Sequence, residues 1–155
     1  MQNPPPPPPR MMPPGGGYAM ATPGNLASPG QRVVGGLIDF VILFVINGVI
    51  GVILQRLFGV GWVIDVILDV TYFAYFWNER GQSIGMMVFG FKVRDLATGR
   101  YPSVGAAVVR GIAWIIEAFG TVVCLLGAIG WGWQFVDSQR QAFHDKIAGT
   151  IVTTS

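Results

Sequence analysis

Long apolar runs broken by short polar links make up most of this chain, and the lengths of those runs predict its elements. Val33 to Leu54 is 22 residues, enough for a helix to cross roughly 30 Å of hydrocarbon. Sixteen of them are Val, Ile, Leu or Phe, worth about 5 to 10 kcal/mol on an insertion scale against roughly 3 for a central carboxylate. The helix therefore inserts with Asp39 inside. After the polar link "QRLFG", Val60 to Trp77 forms a second run whose aromatic end suits a membrane interface. Its Asp65 and Asp69 together cost about 6 kcal/mol against roughly 3 to 5 gained. Alone it is marginal, so it needs a protonated aspartate, a partner cation or the first span beside it.

Beyond Trp77 the pattern changes. Ile84 to Phe89 is apolar but too short to cross, and is expected along the interface. "FGFKVRD" alternates into a turn-like "ATGR" and reads as a short strand; "AGTIVTT" has the same β-branched character, and pairing the two puts both on one side of the membrane. Gly111 to Val136 reads either as one tilted span or as a short hairpin turning near Gly120. The hairpin is preferred, because it returns Arg140 and Lys146 to the side where the strand pair needs them. The expected fold is an all-α integral membrane protein. It has two full transmembrane helices plus a shorter membrane hairpin (or one tilted third span) and a small cytoplasmic β pairing.

Composition adds limits. Of 155 residues, 52% are hydrophobic and 12% charged, which suits one small membrane domain with the lipid bilayer as its first partner. One Cys and one His leave no cluster to hold a metal, and no cofactor is expected. The net charge of +2 comes from basic residues scattered between apolar runs, a sign of orientation rather than of nucleic-acid binding. Arg80, Lys92, Arg94, Arg100 and Arg110 follow the second run, whereas the link before it holds only Arg56. The N-terminus and the segment after Trp77 are thus expected in the cytoplasm. Residues 1–30 hold every proline but Pro102 and are expected as a disordered tail, polyproline II in its six-proline tract, ahead of a membrane domain over 31–155. No early charged region precedes a short apolar core, so the tail does not read as a signal peptide. It is either a solvated extension or a ligand for an SH3-like proline reader.

Two helix starts repeat one spacing. Arg32 precedes Asp39 by seven residues, and Arg110 precedes Glu117 by seven. Two helical turns put each acid on its arginine's face but about 10 Å deeper, too far for a bond within one helix. Counting back from Trp77 puts Asp69 roughly 12 Å below the same surface. Asp39, Asp69 and Glu117 are therefore expected in one layer, with Arg32 and Arg110 reaching down to neighbouring helices. Such a layer reads in two ways. It can pass protons or cations, with Asp65 and Asp69 at successive depths and Asn47 as a neutral ligand; or Asp39 pairs with Arg32 or Arg110 merely to hold helix register. Transport by so few spans calls for a homo-oligomer, and glycines 35, 36, 48 and 51 permit close helix approach. Enzyme chemistry finds little footing. Ser138, His144 and Asp145 are sequence neighbours without the geometry of a triad, His144 reads as a capping or interface residue, and "GQSIG" lacks the spacing of a nucleophile elbow.

From Gln31 onward the chain resembles the RDD family of bacterial membrane proteins, named for one arginine and two aspartates. The matching pieces are "RVVGGLIDF" with Arg32 and Asp39, "GQSIGMMVFGFKVRDLATGR", "VVRGIAWIIE" and "RQAFHDKIAGTIV". The proline-rich tail is similar to those of the family's actinobacterial branch. Met86 stands where the family usually has lysine after "SIG", and the family's second aspartate falls on Asp145 or on the acid at Glu117. The resemblance implies a small multi-span protein of the bacterial inner membrane with largely undefined activity, sodium/proton antiport being proposed for some relatives. A scaffold whose tail recruits a partner is the alternative.

Overall fold

The computed structural model describes residues 25–58 and 61–154. The proline tract expected as a tail lies outside them. Among the described residues six α-helices and two strands follow one another: α1 (Pro29–Phe58), α2 (Gly61–Glu79), α3 (Ile84–Met87), β1 (Phe91–Asp95), α4 (Val104–Cys124), α5 (Gly127–Gly132), α6 (Phe143–Ala148) and β2 (Thr150–Thr154). By length and composition, Pro29–Ile53 of α1 and Val104–Cys124 of α4 can each cross a bilayer. Helix α2, expected as the second full span, has 19 residues but carries Asp65 and Asp69, and it falls outside this pair.

Local chemistry sets the boundaries. Ser103 caps α4 by accepting the Ala106 N–H at 3.2 Å, and Leu125 ends it in the left-handed conformation at φ 60°. The chain therefore reverses at Leu125, not at the expected Gly120. Gly120 instead lies under Gly127 of the returning α5, where an added Cβ would sit 3.4 Å from the Gly127 nitrogen. That glycine marks a close helix approach, a role that reads the same as a turn in sequence. The hairpin has unequal arms: α5 runs into a 3-10 turn over Trp133–Phe135 and stops well short of the 21-residue α4.

Strands β1 and β2 pair antiparallel, from Phe91 opposite Thr154 to Asp95 opposite Thr150. The Asp95 carboxylate accepts the Ala97 and Thr98 N–H groups, which shapes the "ATG" turn after β1. Leu26 and Ala27, assigned to the tail from sequence, pack here. Leu26 bridges to Thr153, Ala27 donates its N–H to the Val152 carbonyl at 3.1 Å, and both side chains are buried. The short α3 packs tightly on α1. Gly85 approaches α1 so closely that an added Cβ would sit 1.9 Å from the Gly35 carbonyl oxygen.

One buried cluster joins these parts, with Phe73 and Trp77 of α2, Trp114 of α4, Phe91 and Val93 of β1, and Val152 of β2. Phe73 stacks on Trp77 at 4.5 Å and meets Trp114 at 4.6 Å. Outward, α1 exposes Leu37, Val41, Phe44, Val45, Val49 and Val52, a face suited to lipid.

Candidate functional site

Polar side chains gather where α1, α4 and α6 meet. Arg32 comes from the first turn of α1, Arg110 from the second turn of α4, and Asp145 from α6. Both guanidinium groups donate to Asp145, Arg32 to Oδ2 and Arg110 to Oδ1. Asp145 Oδ2 also accepts the Ala142 N–H at 2.8 Å and so caps its own helix. Arg110 further donates to Thr150 Oγ1 and lies 4.6 Å above the Trp77 ring. Arg32 also donates to the Arg140 carbonyl, which a left-handed residue at φ 51° turns toward it. Burial by itself would raise the Asp145 carboxyl, but the Arg110 and Arg32 guanidiniums override it and hold the group well below the usual carboxylate range.

Neither arginine pairs with the acids expected from the seven-residue spacing. A third helix delivers Asp145 at the level of the guanidiniums, so they have no need to reach two turns down. Glu117 instead takes His144, with Nδ1 to Oε2 at 2.9 Å, and His144 Nε2 stands 3.8 Å from Asp145 Oδ2. His144, read from sequence as a cap or interface residue, is only 4% exposed and links the two acids.

Asp39 forms a separate group. Its side chain is 2% exposed, and among the described residues it makes no ion pair. Tyr72 donates to Oδ1 at 2.8 Å, the Gly85 N–H donates to Oδ1 at 2.8 Å, and Ser83 Oγ donates to Oδ2. Tyr72 Oη in turn accepts the Ile84 N–H at 3.1 Å, so α2 and α3 are both tied to the Asp39 carboxylate. Asp69 accepts from Asn47 Nδ2 at 2.9 Å, and Asp65 Oδ1 has no hydrogen-bond partner among the described residues. The single layer expected for Asp39, Asp69 and Glu117 is thus three distinct groups: an Arg–Asp–Arg clamp with its Glu–His neighbour, a neutral cradle around Asp39, and an Asp–Asn pair.

A chamber of about 30 Å3 connects the first two groups, lined by Arg32, Asp39, Ser83, Arg110, Gln134 and His144 among others. A crevice of about 290 Å3 between α1, α2 and α4 reaches Asn47 and Asp69. Tyr72, Ser83 and Gln134 escaped the sequence reading. Each is an ordinary polar residue, and only position gives it a role: Tyr72 and Ser83 against the Asp39 carboxylate, Gln134 in the wall of the chamber. No group of three or more metal-ligating side chains occurs among the described residues.

Two curated relatives match part of the chain. Over 94 residues the chain is 35% identical to the proline-rich antigen of Mycobacterium leprae, covering 61% of this chain and 35% of that protein. Over 91 residues it is 29% identical to an uncharacterized protein of Rickettsia prowazekii, covering 59% of this chain and 47% of the relative. The matched stretch therefore spans less than half the length of each of these relatives. No solved structure matches. The profile of the RDD family matches residues 26–149, a stretch that holds Arg32, Asp39 and Asp145 together with the elements that position them, and the chain belongs to that family.

Proposed function

We propose that this protein moves protons or small cations across the bacterial inner membrane, with Asp39 as the carboxylate that takes them up and releases them. The observation that carries the reading is the environment of Asp39, a carboxylate inside an apolar helix whose partners are all neutral donors. Asp145 is committed to two guanidiniums and cannot exchange its charge cheaply. The charge on Asp39 is free to be matched by a proton or a cation. A separate crevice between α1, α2 and α4 holds a second carboxylate, Asp69, with Asn47 beside it.

In this reading α1 and α2 cross as a pair, and α4 with α5 forms a hairpin that enters and returns. The N-terminus, the β1–β2 pair and α6 then share the cytoplasmic side. Arg80, Lys92, Arg94, Arg100, Arg140 and Lys146 support that orientation. The exposed apolar faces of α1 and α4 leave room for a second copy beside the first. The Arg32–Asp145–Arg110 clamp holds helix register, the role foreseen for an Asp39 pair and transferred here to Asp145.

The test uses vesicles with an imposed pH or sodium gradient and compares wild type, Asp39→Asn and a chain lacking residues 1–24. The truncation stops at Gly24 because Leu26 and Ala27 are packed into the fold. Exchange by wild type and by the truncated chain, lost in Asp39→Asn, supports the reading. Absence of exchange in all three sinks it and leaves the scaffold whose proline tract recruits a partner.

A further inference from the structure

Between Asp39 and His144 lies the chamber of about 30 Å3, walled also by Trp77, Arg110, Trp131 and Gln134. A buried water needs roughly 10 to 15 Å3 of such space, so about two fit. Each of the last four residues carries a buried polar atom without a hydrogen-bond partner among the described residues: Nε1 of Trp77 and of Trp131, Nε of Arg110, and Oε1 of Gln134. Native interiors rarely tolerate such orphans, and four of them on residues that line one small space point to a ligand that satisfies them.

The donor set selects that ligand. Three of the orphans are N–H donors and one is an amide oxygen, with the Asp39 carboxylate on the same wall. A bare cation would face three donors, and an anion would face the carboxylate and the amide oxygen. Water both donates and accepts, and serves all of them. We infer that this chamber is a binding site for two ordered waters, which relay protons between Asp39 and the His144–Glu117 pair. The inference rests on proton exchange at Asp39.

The chemistry balances within the named groups. When Asp39 is protonated, its O–H bond breaks as the first water gains that proton. The second water receives one in turn, and an N–H bond forms on His144. Asp39 ends as carboxylate and His144 as imidazolium. The tautomer with its proton on Nδ1 donates to Glu117 at 2.9 Å and leaves Nε2 to accept. Glu117 from α4 and Asp145 beside it match the new positive charge, while Arg110 from α4 and Arg32 from α1 oppose it, each already paired with Asp145. Around Asp39, Tyr72 of α2 and Ser83 before α3 stabilise the carboxylate left behind.

The experiment has two readouts on the full chain. In lipid nanodiscs, with tryptophan labelled by nitrogen-15, magnetisation transfer from water to the indole N–H groups is expected at Trp77 and Trp131. No transfer at either overturns the inference, whatever the transport result. In vesicles, Gln134→Met keeps the side-chain length but removes the amide oxygen. Proton flux is expected to fall about tenfold, the effect of a barrier raised by about 1.4 kcal/mol for one lost hydrogen bond. Unchanged flux in Gln134→Met beside active wild type overturns the relay and leaves the role of Asp39 standing. Inactive wild type overturns that role and the relay with it. The nanodisc measurement on wild type stands even if the variant does not fold.

Discussion

Two buried aspartates, Asp145 and Asp39, have opposite surroundings, and their variants are expected to behave differently. Asp145 neutralises two arginines, so Asp145→Asn leaves both guanidiniums buried and uncompensated, and a loss of about 3 to 5 kcal/mol is expected in denaturant unfolding of the detergent-solubilised protein. Asp39 has only neutral partners, so Asp39→Asn is expected to cost about 1 to 2 kcal/mol while abolishing exchange. Comparable destabilisation in the two variants would contradict this division. The pH dependence follows from the same contacts. The folded-state value for Asp145 lies below the unfolded one, near 3.9, so its contribution is fully present above about pH 5 and is lost as pH falls through the unfolded value toward the folded one. Thermal melts are therefore expected to be flat in this contribution from about pH 5 to 8, with an acid-side decline that Asp145→Asn flattens.

Glycines decide how elements meet. At Gly127 an added Cβ would lie 1.8 Å from the Glu117 carbonyl and 2.6 Å from the Thr121 nitrogen, both backbone atoms of α4. Gly127→Ala is expected to push α5 away from α4, to cost about 1 to 3 kcal/mol, and to disturb Trp131, whose ring packs on Trp114 at 5.6 Å. Gly48, with nothing near its Cβ position, is the control and is expected to be neutral or better as Ala in the same unfolding assay. The strands and helices were legible as elements because apolar runs and β-branched alternation are local signals. The turn at Leu125 was not, since a non-glycine residue at positive φ leaves no compositional mark and Gly120 offered a false one.

For the molecule as a whole, membrane orientation is the sharpest check. In a Cys124→Ser background, Thr154→Cys at the end of β2 is expected to react with an impermeant maleimide only from the cytoplasmic side. Labelling from outside would break the hairpin and separate Glu117 from the acids near it in this fold. The β1–β2 pair and the packed residues Leu26 and Ala27 require both ends of the domain on one side, so the result bears on all of them together.

Sequence alone was enough for the long apolar helices, the strand pair and the unusual presence of Arg32, Asp39, Arg110 and Glu117 among them, because run length, periodicity and the cost of a buried charge depend on neighbours along the chain. Partner choice was different. The spacing of seven suggested that each arginine serves an acid below its own level, yet α6 brings Asp145 between the two guanidiniums, His144 to Glu117, and leaves Asp39 to Tyr72, Ser83 and a backbone N–H. Ion pairing falls off within a few ångströms, and which side chains come that close is set by how distant segments pack.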